Sequence, residues 1–403
     1  MRKAHDPVGI VGLNYLDPMV RNKSKFSSRR TRSTRYFKSC MSICMALAVQ
    51  FARLATPGGP ASEMLRSQRQ LQSFVEGCVF SEQAATPARI ANTLNVIKAH
   101  SLPSASDFCE DSSGKMRIVE FKRISKMCWY ANDYLRVLRR VPSESGREDF
   151  IVCDRDCRQA DADVISIAKS RRVVNSSNRT VTVLPVNVGR HFQWVPYALR
   201  DPWAYKRKLP IALWRGVSTG DCWGSVSKNA IPSPNCARRN LVFMWSSTAS
   251  LKIDVGLTNI VQVPPEVSKM LQPLQKERMS VKDIIKYRYI ISVEGNDVAT
   301  NLKWALASNS VVFMPPATKE SFILESRLIP WVHYVPINYT TTDLEEKIEF
   351  CDQNEVLCEG IARASTEFMH TFSTRRKLFH LGALVYQRHF EKMAESYIWS
   401  RSV

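Results

Sequence analysis

The chain has 403 residues, of which 44% are hydrophobic and 23% are charged. This composition excludes a wholly disordered chain, because it supplies enough apolar surface for a folded core, and the length suits two domains of ordinary size. The formal net charge is +20, but residues 1–40 alone contain ten Lys or Arg against two Asp, and the remaining excess is spread along the chain without a nucleic-acid motif, so we expect no nucleic-acid partner.

The first sixty residues are predicted to be a basic tail with a short targeting segment rather than a folded domain. An Arg- and Ser-rich stretch, SKFSSRRTRSTRYFK, precedes the apolar stretch CMSICMALAVQFA. A basic region before a short apolar run is typical of a signal sequence or a short signal anchor, although a spanning helix usually needs about 20 apolar residues. We therefore expect membrane association through this segment and a location in the lumen of the endoplasmic reticulum or Golgi, or secretion. An organelle transit peptide is the alternative.

The eleven cysteines are interpreted as structural residues, either disulfide-bonded or buried. Their number is odd, so at least one is unpaired or pairs with another chain if the compartment is oxidising. None has the C-x-x-C spacing of a metal site. Sequons for N-glycosylation occur at Asn22, Asn175, Asn178 and Asn338 and are usable only in the secretory pathway.

Residues 61–200 are predicted to form the first domain, in which helices alternate with short strands. Helices are predicted from the spacing of apolar residues, and strands from short β-branched or aromatic runs. The predicted helices are residues 62–76, 87–100 and 129–141, and the predicted strands are residues 115–121, 149–153 and 180–186.

Residues 201–403 are predicted to form the second domain, organised around a strand-turn-helix-strand unit at residues 287–316. Units of this kind build parallel sheets with helices on their faces. The predicted strands are residues 209–214, 251–256, 289–293, 310–314 and 333–336, and the predicted helices are residues 235–245, 342–351, 355–372 and 375–399, with a further helical segment ending at residue 308.

Two strands of this domain end in polar turns that contain glycine. One turn is RGVSTG at residues 215–220, and the other is EGND at residues 294–297. The carboxyl ends of parallel strands are where a Gly turn lets the backbone approach an anion such as a phosphate. An anionic ligand is one interpretation, and an ordinary structural turn is the other, because neither turn has a GxGxxG or GxxxxGK pattern.

Three blocks in order resemble glycosyltransferase family 90. They are WRGVSTG, KYRYIISVEGNDVATNLKWALASNSVVFMPP and LIPWVHYVPINYTTTDLEEKIEF. The resemblance is closest to LpsA-like lipopolysaccharide members and more distant to capsule-associated proteins and protein O-glucosyltransferases. It is strong from about residue 149 to the C-terminus, weak over residues 61–140 and absent from the tail.

This resemblance implies an α/β fold of the GT-B type, with two Rossmann-like domains facing each other across a cleft. It implies an enzyme that transfers a sugar of the glucose, galactose or xylose class from a UDP-sugar to a hydroxyl of a glycan, glycolipid or protein acceptor, with inversion. No cofactor and no divalent metal are expected to be required. One alternative is a GT-B-fold binding or scaffold protein without activity, which Ser218 and Asn301 keep open because the O-glucosyltransferases have arginine at both positions. The other alternative is a basic nucleic-acid-binding protein.

The resemblance also implies a carboxylate base in the first domain that activates the acceptor hydroxyl. Asp156, in the DRD turn after a predicted strand, is one candidate, and Glu120, at an earlier strand end, is the other. Asp156 could instead contact the acceptor or cap a helix, and Glu120 could be an ordinary surface carboxylate. DRD also has the form of a DxD metal site, but it lies in the half expected to hold the acceptor.

The donor is expected to bind at the two Gly-containing turns of the second domain. Arg215 is the first candidate to offset charge on the departing diphosphate, and Lys303 or Arg238 could supply further charge. Helix capping is the alternative role of Asp297 and Thr300. The predicted donor-binding residues are Arg215, Gly216, Ser218, Thr219, Arg238, Gly295, Asn296, Asp297, Thr300, Asn301 and Lys303.

Overall fold

The computed structural model describes residues 61–99, 116–119, 129–141, 150–153, 165–173, 179–220, 222–224, 229–248 and 250–400. All of them belong to one compact unit that spans residues 52–403. The basic tail and both predicted catalytic carboxylates, Glu120 and Asp156, lie outside the described residues. The division into domains at residues 1–60, 61–200 and 201–403 stays a prediction.

The first half of the described chain alternates helices with short strands, as predicted. Strands β3 and β4 and helices α4 and α5 were not predicted, because runs of three or four residues are too short to show a periodicity. The elements are α1 (Ala61–Cys78), α2 (Pro87–Ala99), β1 (Met116–Val119), α3 (Trp129–Leu138), β2 (Phe150–Cys153), β3 (Ser166–Ala168), β4 (Ser170–Arg172), β5 (Val181–Val183), α4 (Val188–His191) and α5 (Val195–Ala198).

The second half begins with the longest described strand and ends with three helices. The predicted strands and helices of this half are confirmed with small shifts at their ends. The elements are β6 (Leu209–Val217), α6 (Ala237–Trp245), β7 (Ile253–Asn259), α7 (Pro265–Leu271), α8 (Val281–Ile284), β8 (Tyr287–Ile291), α9 (Leu302–Leu306), β9 (Val311–Met314), β10 (Lys319–Ser321), β11 (Val335–Pro336), α10 (Leu344–Gln353), α11 (Glu355–His370) and α12 (Arg375–Ser400).

Five strands of the second half form a parallel sheet with the order β11-β9-β8-β6-β7. Strands β8 and β9 are rich in β-branched and aromatic residues and are largely buried, as expected of parallel strands that are covered on both faces. Tyr289 of β8 pairs with Ala212 of β6 on one side and with Val311 of β9 on the other. The predicted strand-turn-helix-strand unit is therefore confirmed as β8, α9 and β9, and the α/β class of the fold is confirmed with it.

One hydrophobic cluster joins this sheet to helices α6, α10 and α11. The strands contribute Trp214, Tyr289 and Phe313, and the helices contribute Leu241 and Ile348. The helices form amphipathic faces because their buried residues recur at intervals of three or four. In α11, these buried residues are Cys358, Ile361, Ala362, Ser365 and Met369.

A second sheet has the order β1-β2-β3-β5, with β1 antiparallel to β2 and the other neighbours parallel. Strand β4 pairs antiparallel with β10, so this two-stranded ribbon joins the two halves of the described chain. Arg171 of β4 and Glu320 of β10 form a buried ion pair of 2.7 Å. Arg171 also donates to the carbonyls of Cys78 and Val181. Its buried guanidinium therefore connects α1, β5 and β10 through hydrogen bonds and an ion pair.

Five cysteines of the described chain are structural, as predicted. Cys222 is disulfide-bonded to Cys236, and Cys351 is disulfide-bonded to Cys358. Cys78 is a free thiol whose burial raises its pKa to about 12, which makes it inert.

The described helices include none with both the length and the apolar character needed to cross a bilayer. The predicted signal anchor lies within residues 1–60, outside the described part of the chain, so membrane association through it stays a prediction.

Candidate functional site

The order of the strands in the parallel sheet creates a crevice at the carboxyl ends of β6 and β8. The connection that leaves β6 runs to β7 on one side, whereas the connection that leaves β8 runs to β9 on the other side. The connections that leave two such strands run in opposite directions and leave a crevice between them. In open α/β sheets, ligands bind in this crevice. The segment RGVSTG covers the last three residues of β6 and the turn that follows them, and EGND lies in the turn after β8. The sequence singled out both segments.

These two turns touch each other across the crevice. The N–H of Gly220 donates to Oδ1 of Asn296 at 3.0 Å. Gly295 lies so close to the other turn that a Cβ at this position would stand 2.6 Å from Oγ1 of Thr219 and 2.7 Å from Nη1 of Arg238. Gly220 has a φ of +129°, which an L side chain rarely adopts. The glycines are therefore required by the close approach of the two turns and by the backbone conformation.

Arg238 of α6 joins the ends of both strands. Its Nη1 donates to Oγ1 of Thr219 at 2.6 Å and to the carbonyl of Val217 at 3.1 Å, and its Nη2 donates to the carbonyl of Val293 at 2.9 Å. The guanidinium lies 5.7 Å from the centre of the Trp214 ring. The predicted residues Thr219, Gly295 and Arg238 are thus brought together at one place.

Arg238 forms no ion pair with any carboxylate of the described residues, although its burial is costly. Burial lowers its pKa to about 10, and the charge of Arg190 acts in the same direction. Glu294 acts in the opposite direction, but its own carboxylate pairs with Lys319 at 3.6 Å and accepts from the N–H of Thr318 at 2.9 Å. An anion at the two turns would give Arg238 the counter-charge that the described protein groups do not provide.

Two residues near this site were missed by the sequence analysis. Arg190 and His191 form the end of α4, in the first half of the chain. Burial, followed by the charges of Lys303, Lys169 and Arg190, lowers the pKa of His191 well below its ordinary value, so its ring is neutral at pH 7. Its Nδ1 has no hydrogen-bond partner among the described residues. The sequence feature that could have identified Arg190 is its position as a cation shortly after a strand, β5, comparable to Arg215 near the end of β6.

Arg215 lies on β6, and its guanidinium faces the neighbouring strand β7 rather than the crevice. It forms an ion pair of 2.6 Å with Asp254 and donates to the Asp254 carbonyl at 3.0 Å. Lys276 binds the other carboxylate oxygen of Asp254 at 2.7 Å. Burial would raise the pKa of Asp254, but these two cations outweigh it and lower the pKa. Arg215 thus has an internal counter-charge, and a diphosphate contact by Arg215 stays a prediction.

Ser218 and Asn301 hold backbone segments together. The Ser218 hydroxyl donates to the carbonyl of Val261 and accepts from the N–H of the same residue, both at 2.7 Å. Asn301 donates to the carbonyl of Ile291 at 2.9 Å and accepts from the hydroxyl of Ser292 at 3.1 Å. Ser218 and Asn301 are therefore used to shape the ends of β6 and β8.

Asp297 and Lys303 each belong to a buried ion pair that reaches another element. Asp297 pairs with Lys169 at 2.7 Å and accepts from the hydroxyl of Ser170 at 2.7 Å. Burial alone would raise the pKa of Asp297, but Lys169 and these hydrogen bonds lower it. Lys303 pairs with Glu325 at 2.9 Å, and both side chains are almost completely buried. The turn after β8 is therefore anchored to the segment between β3 and β4.

The remaining predicted residues line the turns or lie just beyond them. Gly216 lies in β6 against the Trp214 ring, and Asn296 donates to Oε1 of Gln262 at 2.8 Å. Helix α9 begins at residue 302, after Asn301, so the capping role considered for Asp297 and Thr300 is wrong. Any ligand contact by Thr300 stays a prediction.

A pocket open to solvent lies beside the turn after β8, at the ends of β8 and β9. It combines apolar side chains with the carboxylate of Glu294 and the ring of Tyr339, whose hydroxyl donates to the carbonyl of Pro316 at 3.1 Å. The start of α6 contributes Pro234 and Ala237. A flat, mostly apolar group with a few polar atoms would suit this pocket, next to an anion at Arg238.

Comparisons with known proteins bear on the same part of the chain. Residues 182–380 match the family described as Glycosyl transferase family 90. The chain is 30% identical over 219 residues to the O-glucosyltransferase LpsA of Dichelobacter nodosus, which is 54% of this chain and 60% of that protein. It is 32% identical over 192 residues to Protein O-glucosyltransferase 2 of Danio rerio, which is 47% of this chain and 34% of that protein.

A third relative is the O-glucosyltransferase rumi homolog of Aedes aegypti, with 26% identity over 190 residues, 45% of this chain and 42% of that protein. The alignments thus span between about a third and three fifths of these relatives. The matched family segment begins within β5 and ends in α12, so it contains the whole parallel sheet and both turns of the crevice. The predicted resemblance to glycosyltransferase family 90 is confirmed over residues 182–380.

Proposed function

We propose that this protein is an inverting glycosyltransferase that moves a sugar from a UDP-sugar to a hydroxyl group. The observation that carries the proposal is Arg238, a cation held at two touching turns at the switch point of the parallel sheet, with no carboxylate partner among the described residues. A diphosphate is an anion that fits this position, because the guanidinium can offset the charge that develops on the leaving group.

The surroundings of Arg238 support a nucleotide rather than a small free anion. Arg190 adds positive charge from the first half of the chain. The adjoining pocket has apolar walls with the Glu294 carboxylate among them, which suits a nucleoside with hydroxyl groups. A UDP-sugar would place its diphosphate at the turns and its nucleoside in the pocket. GT-B architecture, with donor and acceptor on opposite sides of a cleft, is part of this proposal.

Inverting transfer requires one base that takes the proton of the acceptor hydroxyl and no covalent sugar intermediate. We place that base at Asp156 or Glu120, both outside the described residues. The test compares Asp156→Asn with Glu120→Gln. The variant that removes the base should lose turnover by roughly 100-fold or more while UDP binding persists. Rates like wild type in both variants would exclude both positions.

The nature of the substrate is proposed from the names of the relatives. Three of them are O-glucosyltransferases, so glucose is the first sugar to test, with galactose and xylose next, and the acceptor is a glycan, glycolipid or protein. Two disulfides favour an oxidising compartment such as the secretory pathway. We propose that no divalent metal is required.

The decisive experiment measures UDP binding, UDP-sugar hydrolysis and sugar transfer with the purified protein, with and without a metal chelator. Binding and turnover of at least one UDP-sugar are expected in both conditions. Absence of turnover with every common UDP-sugar by a folded protein would refute the enzyme proposal, and retained UDP binding would then identify a binding module.

A further inference from the structure

We propose that the Cys222–Cys236 disulfide is a positioning element of the donor site. It would hold the turn after β6 and the start of α6 in the arrangement that keeps Arg238 at the two turns. The inference rests on the proposed function in one respect, namely that the ligand at these turns carries a diphosphate.

The disulfide lies next to the site in the sequence and in space. Cys222 follows Gly220 by two residues, and Cys236 precedes Arg238 by two residues. The bond brings the two Cα atoms to 5.1 Å across a sequence separation of 14 residues. It therefore fixes the distance between one turn of the crevice and the helix that supplies its cation.

The loop closed by this disulfide also forms part of the ligand pocket. Its residue Pro234 and the adjacent Ala237 line the pocket wall. Asn240 of α6 accepts from the N–H of Ile231 at 3.0 Å and donates to the carbonyl of the same residue at 2.7 Å. The second part of the loop is thus held by α6 itself, while its beginning is held by the disulfide and by Trp223, which is 2% exposed.

A covalent link suits this position because Arg238 has no internal carboxylate partner. An ion pair would hold the guanidinium in place, but it would also neutralise the charge needed by an anionic ligand. Hydrogen bonds to Thr219 and to two carbonyls orient the guanidinium. The disulfide restricts the backbone on both sides of these contacts, so the cation is preorganised without being neutralised.

The test compares two disulfides in the full chain, with UDP as the probe. Cys222→Ser with Cys236→Ser is expected to weaken UDP binding by about tenfold or more, since the site must then be ordered by the ligand. Cys351→Ser with Cys358→Ser removes the disulfide between α10 and α11, which lies outside the described site, and is expected to leave UDP affinity unchanged. Titration calorimetry well below Tm separates a local effect from loss of the fold.

A second arm uses the chain with Cys351→Ser and Cys358→Ser, in which Cys222–Cys236 is the disulfide left among the described cysteines. Dithiothreitol breaks its S–S bond into two thiols and is itself oxidised to a cyclic disulfide. The same loss of UDP affinity is expected, with recovery after reoxidation. This arm keeps the proposal testable if the Cys222→Ser, Cys236→Ser variant fails to fold.

Unchanged UDP affinity after removal or reduction of Cys222–Cys236 would overturn the inference and leave the proposed function standing. Equal weakening by the two disulfide variants would also overturn it, because the effect would then be general destabilisation. A wild-type protein that does not bind UDP would overturn the proposed function and this inference together.

Discussion

Substitution of Gly295 by alanine tests the crevice with the smallest possible change. The added Cβ would stand 2.6 Å from Oγ1 of Thr219 and 2.7 Å from Nη1 of Arg238, whereas ordinary contacts begin at 3.4 Å. Each neighbour must therefore move by about 0.7 to 0.8 Å. Nη1 of Arg238 donates a hydrogen bond to Oγ1 of Thr219 at 2.6 Å, so the added methyl group would contact both the donor and the acceptor of this hydrogen bond.

The expected magnitude follows from that hydrogen bond and from the crowding. Loss of a hydrogen bond to a charged group costs about 1.5–3 kcal/mol, and forcing a methyl group into a packed site costs about 1–3 kcal/mol of folding stability. If Arg238 moves away from the ligand position, UDP affinity falls by roughly 10- to 100-fold, since about 1.4 kcal/mol corresponds to a factor of ten.

The measurement is UDP affinity by titration calorimetry together with Tm. Gly360→Ala is the matched control, because Gly360 lies in α11 and an added Cβ there has nothing within 4 Å. Alanine is a better helix former than glycine by about 0.5–1 kcal/mol, so the control should be slightly more stable and bind UDP normally. If Gly295→Ala bound UDP as tightly as the control, the two turns would not form the diphosphate site.

Three further predictions concern ionisable side chains of the structure. Arg238→Ala should weaken UDP binding by roughly 100-fold, whereas Arg215→Ala should mainly lower Tm. If Arg215→Ala weakened UDP binding more than Arg238→Ala, Arg215 would be the diphosphate contact. Lys303→Met should destabilise the protein by about 3–5 kcal/mol in urea unfolding, because it leaves Glu325 buried without its partner; wild-type stability would contradict this. Burial lowers the pKa of His389 from 6.5 to about 3, so its stabilising effect is complete above pH 6.5 and is lost as the pH falls towards 3. Between pH 6.5 and 4.5 that loss should amount to about 2 kcal/mol, and a His389→Gln variant should show a shallower decline in unfolding free energy.

The sequence could predict the parallel sheet because its strands carry a strong local signal. The run at β8 and the run at β9 are apolar, short and bounded by turn residues, so their type and their connection follow from pattern alone. The ribbon of β4 and β10 was not predictable in this way. Each strand has three residues, and their pairing depends on the Arg171–Glu320 ion pair between distant parts of the chain.

The sequence predicted which two turns form the candidate site, but it did not predict which of their side chains are engaged in internal bonds. The two turns that touch are the two that the sequence singled out, because a glycine at a strand end is a local feature. Which polar residue faces a ligand depends on its neighbours in space. Ser218, Asn301 and Lys303 look available in the sequence, but each is used in an internal bond.

The contrast between Arg215 and Arg238 explains why the cation of the proposed site comes from a helix. A side chain on a strand lies beside the side chains of the neighbouring strands, and in β7 that neighbour is Asp254, which neutralises Arg215. The helix that follows β6 approaches the strand ends from outside the sheet, where backbone carbonyls rather than carboxylates receive its guanidinium. Carbonyls orient a cation without cancelling its charge. The side chain best suited to bind an anion is therefore the one that the sheet orients but does not neutralise, and in this protein that side chain is Arg238.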